Sequence, residues 1–258
     1  MKSLKIEIDG KLRAFQIPDK FNELSESQYL NIIQFITMDS KSEHYEGVKL
    51  TTMLALLGFY DARKKERKSI FKIFDAIIEA ELIDDLLQLI DFVKTEQDFT
   101  KFIIRDFKIG NYKLTGPSDR FQNMTFGKFI AVDMLATAYF SSRSDLILDK
   151  MIALLYSNET VRAKDIEYHL HDFDKNIKTA ILYNYIGIRN WISKKYPLVF
   201  SSDSTSSRTN IQLGRQENNW LTVRRHISGN DVLKLSKVDE LDAHETLRHL
   251  EEELKKAA

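Results

Sequence analysis

The sequence predicts a mainly α-helical protein, with a multi-helix body, one or two small β-hairpins and a short C-terminal helical module. The 258 residues include only three prolines and nine glycines, which is few for a fold with many tight turns. Apolar residues recur at helical spacing along most of the chain. Residues 201–209 carry no aliphatic or aromatic side chain, so this stretch predicts a solvated connector.

These features divide the chain into three parts. Residues 1–200 are predicted to form a helical body with an N-terminal β-hairpin, and a body of roughly 200 residues is ample for a core. Residues 201–216 form a Ser/Thr-rich linker, and residues 217–258 form a C-terminal amphipathic helical module.

The first hundred residues predict a hairpin followed by helices. Asp9 and Gly10 are a strong turn signal between two alternating segments, whose register the apolar positions leave open. Ser25 and Gln28 have capping-box spacing and predict that a helix begins there. Three further apolar patterns at helical spacing lie at residues 50–57, 70–78 and 82–90.

The next hundred residues begin with a second small hairpin, which turns at Gly110 and Asn111. Thr125 or Asn123 is then expected to cap a helix that continues to Phe140. Three later stretches are also predicted as helical: a central run apolar on most sides, a long helix capped by Asp174 that stops before Pro197, and a last helix capped by Asp242. The first of these covers residues 146–156.

The charge and residue content exclude several classes of protein. Lys and Arg together number 38, as do Asp and Glu, so nothing global favours nucleic acid. The basic run Arg63–Lys68 is read as a solvated face, with nucleic-acid binding kept as a separate hypothesis. The absence of cysteine excludes disulfides, thiolate catalysis and Cys-based zinc sites.

Signals for export and for a membrane span are weak. The first residues lack the long apolar region of a signal peptide, and no stretch approaches 18 uncharged apolar residues. We therefore expect a protein of the cell interior that does not associate with membranes.

Two histidine pairs invite comparison with metal sites. His244 and His249 are five residues apart, whereas the HExxH motif needs four, and Arg248 stands where the second ligand would be. The second pair, His169 and His171 beside Asp172, is interpreted as a polar cluster in a loop. Phosphate-binding loops and nucleophile elbows are also missing, so we expect no metal, no cofactor and no enzymatic activity, with an unrecognised enzyme as the remaining alternative.

The C-terminal module supplies the candidate partner-binding residues. Trp220 is either a packing anchor or an interface hot spot, because a large aromatic side chain on a short segment needs another surface to bury against. That surface belongs either to a partner or to the body of the same chain. The candidate partner-binding residues are Trp220, Leu221, Val223, Arg224, Ile227, Leu247 and Leu250.

Several short motifs carry a resemblance to phage proteins. Leu114–Asp119, Asn123–Phe129 and Lys195–Phe200 resemble a pattern in uncharacterised tail-region proteins of phages and prophages of the Bacteroidetes group. Asn219–Leu221 and Asp242–Glu251 are similar to the C-terminal part of tail assembly chaperones encoded beside the tape-measure protein. The resemblance covers mainly residues 107–258 and brings no catalytic residues.

The resemblance implies a non-enzymatic tail assembly chaperone that binds the tape-measure protein, or other tail proteins, in the cytoplasm of a bacterial host. The alternative is a structural virion protein, such as a tail connector, a baseplate component or a tail-completion component. A homo-oligomer is left open. Truncation near residue 205 is expected to leave a folded body that no longer holds its partner.

Overall fold

A computed structural model of the chain describes residues 2–8, 11–39, 41–57, 100–200 and 217–257. Helices dominate these residues, and their strands form two separate two-stranded hairpins, so the predicted mainly α fold is confirmed. The predicted helices at 70–78 and 82–90, the basic run at 63–68 and the linker at 201–216 lie outside the described residues. The chain forms two compact units, Met1–Ile103 and Ile104–Ala258. This division differs from the predicted single body of residues 1–200.

The described residues of the first unit form the N-terminal hairpin and two helices. Strand β1 (Lys2–Ile8) pairs antiparallel with β2 (Lys11–Ile17), with Lys2 opposite Ile17. Helix α1 (Glu26–Thr37) begins with the predicted capping box, in which Ser25 Oγ accepts from the Gln28 N–H and the Gln28 side chain accepts from the Ser25 N–H. Helix α2 (Tyr45–Leu56) packs against α1.

The second unit begins with a hairpin of β3 (Asp106–Ile109) and β4 (Tyr112–Thr115). Its turn requires glycine because Gly110 has a φ of +55° and a Cβ there would lie 3.0 Å from the His169 ring. Four helices follow, and the predicted caps Thr125 and Asp174 bond to backbone N–H groups at the starts of the first and fourth. These helices are α3 (Phe126–Ser142), α4 (Asp145–Tyr156), α5 (Ala163–Leu170) and α6 (Lys175–Lys195).

Residues 217–257 of the second unit contribute three more helices, namely α7 (Glu217–Ile227), α8 (Leu235–Glu240) and α9 (Ala243–Ala257). They pack on α3 and therefore do not form the separate module predicted for residues 217–258. The Phe126 N–H donates to the Leu241 carbonyl at 2.7 Å, and the Ala243 N–H donates to the Met124 carbonyl at 3.0 Å. A Cβ on Gly127 would come within 2.6 Å of Asp239 Cβ, so α3 and α8 touch at a glycine.

The core of the second unit lies among α3, α4 and α6. Helix α4 is the central element, as its apolar sequence predicts, and Met151, Ile152 and Ala153 are fully buried. A buried ion pair joins α6 to α4, with Lys178 Nζ 2.8 Å from Asp149 Oδ1. The sequence patterns do not predict the short helices α5 and α8.

A candidate partner-binding groove

Trp220 anchors α7 to the rest of the second unit. Its side chain is only 4% exposed, and its ring meets the rings of Phe126, Phe129 and Phe200 edge-on, with centroids 5.6 to 6.1 Å apart. Its indole N–H donates to Asp133 Oδ2 at 2.9 Å. Trp220 is thus a packing anchor within the chain in this structure.

Asp133 organises a buried polar cluster between three helices. This fully buried carboxylate on α3 accepts from the Tyr185 hydroxyl at 2.8 Å, from Arg189 Nε at 2.9 Å and from Trp220. Burial raises the pKa of Tyr185 far above its ordinary value, and the charge of Asp133 adds to that. Burial opposes the charge of Arg189, but attraction to Asp133 outweighs it and raises the pKa of the guanidinium. Tyr185 is therefore a neutral donor beside a buried ion pair.

A second tie holds α7 to α8. Arg224 donates through Nε to Asp239 Oδ1 at 2.8 Å and through Nη2 to Asp239 Oδ2, a two-point contact that suits a guanidinium and a carboxylate. The sequence predicts that Arg224 faces a partner, yet its guanidinium binds a carboxylate of its own chain.

The seven predicted partner-binding residues therefore separate into three groups. Trp220, Leu247 and Leu250 are buried within the second unit, and of these only Leu250, which is 6% exposed, lines the groove described next. Val223 and Ile227 are half-buried, as is the paired Arg224. Leu221 is 46% exposed. The burial has a simple cause, since α7 and α9 are too short to shelter an apolar face without α3.

An open groove of about 850 Å³ lies between α7, α9 and the segment that follows α6. Its apolar part combines one residue of α7 with an i, i+4 pair on α9 and two residues before the chain reaches α7. These are Val223, Leu250, Leu254, Leu198 and Val199. Thr222, His226, His249, Glu253 and Lys256 complete the lining. The groove thus brings together two of the seven predicted residues, Val223 and Leu250.

Glu251 holds one wall of the groove in place. Its Oε2 accepts from the backbone N–H groups of Leu198 and Val199, at 2.9 and 3.2 Å. The carboxylate is itself buried, and Lys255 Nζ lies 3.7 Å from its other oxygen. Because Glu251 belongs to α9, the segment after α6 is bonded to the helix that forms the facing wall.

The polar rim of the groove carries charge of both signs. Glu253 lies between two imidazoles, 3.6 Å from His226 Nε2 and 3.2 Å from His249 Nε2. All three side chains are largely exposed, so these contacts contribute little to stability. Lys256 also lines the groove, so its rim carries one carboxylate and one ammonium group.

Sequence reasoning misses several of these residues. In the sequence Asp133 is only one residue of the α3 pattern, and a carboxylate among apolar neighbours is the signal that could mark it as buried. Nothing in the sequence distinguishes Glu251 from Glu252 and Glu253. Which of these carboxylates becomes buried depends on which side of α9 faces residues 198 and 199.

The two histidine pairs considered as metal sites differ in how the structure places them. His244 Nε2 bonds to the Arg120 carbonyl and Nδ1 accepts from the Tyr196 hydroxyl, whereas His249 lies at the groove. His169 is in α5, not in the predicted loop, and its ring packs beside Tyr112. His169, His171 and Asp172 line one open surface cavity.

Some features limit the chemistry of the described part of the chain. Across residues 2–57, 100–200 and 217–257, apart from Asp9, Gly10 and Ser40, no group of three His, Cys, Asp or Glu side chains is placed to hold a metal ion. Within the same ranges, each helix is too short or too polar to cross a bilayer. Comparison of the chain with known protein families, curated proteins and solved structures finds no match, so its function must be argued from the groove.

Proposed function

We propose that the chain is a non-enzymatic binding protein that holds an amphipathic helix of a partner in the groove between α7 and α9. The observation that carries this proposal is an apolar groove walled by two helices on the surface of the second unit. Such grooves bind helices through apolar side chains at positions i, i+3 or i+4, and i+7. The groove residues of α9 have the matching spacing, since Leu250 and Leu254 are four residues apart.

The charges around the groove bear on the kind of helix that fits it. Glu253 and Lys256 both line the groove, so its rim carries charge of both signs. A helix whose apolar stripe is flanked by acidic and basic residues would complement this rim, because each rim charge would then meet one of opposite sign.

The resemblance to tail assembly chaperones supplies the biological setting of the proposal. A tape-measure protein is long and helical, and it exposes apolar stripes until the tail tube encloses it. A protein with a helix-binding groove would cover these stripes in the host cytoplasm and release them during assembly. We therefore propose the tape-measure protein as the partner, with other tail proteins as the next choice.

A matched pair of variants tests the groove. Leu254 lines it and is 43% exposed, while Leu233 is 86% exposed in the turn Val232–Lys234 and does not line it. Leu254→Glu and Leu233→Glu each add one negative charge to an exposed site. We expect Leu254→Glu to raise the Kd for helical fragments of the cognate tape-measure protein at least about tenfold, equal to ~1.4 kcal/mol. Leu233→Glu is expected to leave the Kd within about twofold.

The measurement is fluorescence anisotropy of labelled fragments with the full chain, after circular dichroism has shown that both variants fold. Equal weakening by the two variants, or unchanged binding by Leu254→Glu, would place the partner surface elsewhere. The alternative of a structural virion protein has its own signature, because mass spectrometry of purified particles would then find the chain at a fixed copy number.

A further inference from the structure

Three titratable side chains meet at the rim of the helix-binding groove. Glu253 lies between two imidazoles, with its Oε1 3.2 Å from His249 Nε2 and its Oε2 3.6 Å from His226 Nε2. His249 and Glu253 are one turn apart on α9, whereas His226 belongs to α7, the other helical wall. These three residues, which we call the rim cluster, therefore connect the two helical walls through one carboxylate.

The rest of the groove contributes few charges. Among the described residues that line it, Lys256 is the one titratable group outside the rim cluster. Helix α7 otherwise lines the groove with Thr222 and Val223, and the segment after α6 lines it with Leu198 and Val199. With neutral imidazoles the charges of the rim cancel, since one carboxylate faces one ammonium group. With both imidazoles protonated, the rim has two positive charges in excess.

The sequence neighbours of the rim cluster do not add to this lining. Arg225 precedes His226 on α7 and Glu252 precedes Glu253 on α9, and both are exposed outside the groove. Any change in the charge of the rim near neutral pH therefore comes from the two histidines, because histidine is the side chain that ordinarily changes charge between pH 5 and pH 8.

Protonation of the histidines alters what Glu253 can bind. A neutral imidazole attracts a carboxylate weakly, so at neutral pH Glu253 can pair with a lysine or arginine of a bound helix. Two imidazolium groups at 3.2 and 3.6 Å would compete for the same carboxylate and repel that cation. All three side chains are largely exposed, so the effect on affinity should be a few-fold change that salt reduces.

We infer that the rim cluster makes the choice of helix depend on pH, an inference that rests on the proposed helix-binding function. Near neutral pH the groove holds helices with basic or acidic residues beside the apolar stripe. Below about pH 6 it releases helices with a basic flank and retains helices with an acidic flank. The ligand is thus an amphipathic helix whose flanking charge decides whether acid releases it.

Three synthetic helices test the inference with the full chain. Each has leucines at positions i, i+4, i+7 and i+11, and its flanking positions carry lysine, glutamate or glutamine. Fluorescence anisotropy gives the Kd of each labelled helix at pH 7.5 and at pH 5.5, where ordinary glutamates keep most of their charge. We expect the ratio of the Kd of the lysine helix to that of the glutamate helix to rise at least about fivefold on acidification in 50 mM NaCl, and by less than about twofold in 1 M NaCl.

The ratio protects the measurement from changes in the folded fraction, because both helices report on the same protein at each pH. If none of the three helices bound at pH 7.5, the proposed function would fail and this inference with it. If they bound but the ratio stayed the same at both pH values, the inference alone would be overturned.

A pair of variants assigns the effect to the rim cluster. The double substitution His226→Gln and His249→Gln removes both titratable imidazoles and is expected to reduce the rise in the ratio to less than about twofold. His171→Gln, at an exposed position of the same unit that does not line the groove, should keep the full rise. Circular dichroism at both pH values checks the fold of each variant. A double variant that kept the full rise would show that other groups cause it.

Discussion

Asp133 is a fully buried carboxylate that joins three helices of the second unit through one side chain. It neutralises Arg189, whose own side chain is 10% exposed, and it receives donors from Tyr185 and Trp220. Removing one partner of a buried ion pair is costly, because the other charge stays in a medium that solvates it poorly. The orientation of α7, and hence one wall of the groove, depends on this cluster.

The substitution Asp133→Asn measures that dependence. We expect it to lower the free energy of unfolding of the second unit by about 3–5 kcal/mol, since Arg189 would remain buried without its counter-charge. Urea denaturation followed by tryptophan fluorescence suits the purpose, because both tryptophans of the chain lie in this unit. Glu159→Gln, at an exposed position, is the matched control and should change the value by less than about 0.5 kcal/mol. A loss below about 1 kcal/mol in Asp133→Asn would contradict the assigned role.

Single residues also mark the limit of prediction from sequence. The sequence marks Trp220 as a residue that needs a burial surface, but its neighbours Phe129 and Phe200 are 91 and 20 positions away in the chain. Helical periodicity shows which face of a helix is apolar and not which surface covers it. The choice between a partner and the chain's own body therefore could not be made from the pattern.

At the scale of elements, the start of α9 is tied to a strained turn. Arg120 and Phe121 have φ values of +57° and +59°, a region that costs non-glycine residues roughly 1–2 kcal/mol each. His244 Nε2 donates to the Arg120 carbonyl, and its Nδ1 accepts from the Tyr196 hydroxyl at 3.1 Å. The bond to the Arg120 carbonyl holds the turn, and burial favours the neutral form of the imidazole.

The stability of the second unit should consequently depend on pH through His244. Burial lowers its pKa below the ordinary 6.5, and the Arg120 carbonyl offsets this only in part. The unfolded chain then binds the proton more readily, so this stability is present above about pH 6.5 and is lost as the pH falls towards the folded-state pKa. His244→Gln should reduce the loss of unfolding free energy between pH 7 and pH 5. The exposed control His171→Gln should keep the wild-type slope, and a His244→Gln slope equal to wild type would refute the linkage.

The starts of helices are the features of secondary structure that the sequence predicts best. Ser25, Asp174 and Asp242 are predicted as caps, and each accepts a bond from a backbone N–H of the first turn. Helices α5 and α8 escape prediction because eight and six residues are too few for a clear period. A helix cap depends on residues that are neighbours in the sequence, whereas a short helix depends on the surfaces that it packs against.

At the scale of the whole molecule, a polar stretch of sequence does not mark the structural division. The boundary between the two compact units falls between Ile103 and Ile104 in the chain, and residues on both sides of the 201–216 stretch belong to the second unit. Composition indicates where a chain is solvated, but a domain boundary is a property of tertiary contacts. The prediction of a body and a separate module was based on composition and therefore did not locate this boundary.

Truncation now has a different expected outcome from the one that the sequence alone suggests. A chain ending at Phe200 would lack Trp220, which packs against aromatic side chains of the second unit, and Leu247, which lies in its core. We expect the tryptophan-detected melting midpoint to fall by about 10 °C or more relative to the full chain. A chain ending at Lys255 is the control and should melt within a few degrees of it. If the chain that ends at Phe200 melted like the full chain, residues 217–257 would be dispensable for folding.

The bonds from Glu251 to Leu198 and Val199 join two walls of the groove before any partner arrives. A groove that is already shaped loses little conformational entropy on association, so most of the ordering cost falls on the incoming segment. Among segments with the same apolar stripe, those that are already helical when free should bind more tightly. Such a groove would rank the segments of a long partner by their intrinsic helicity.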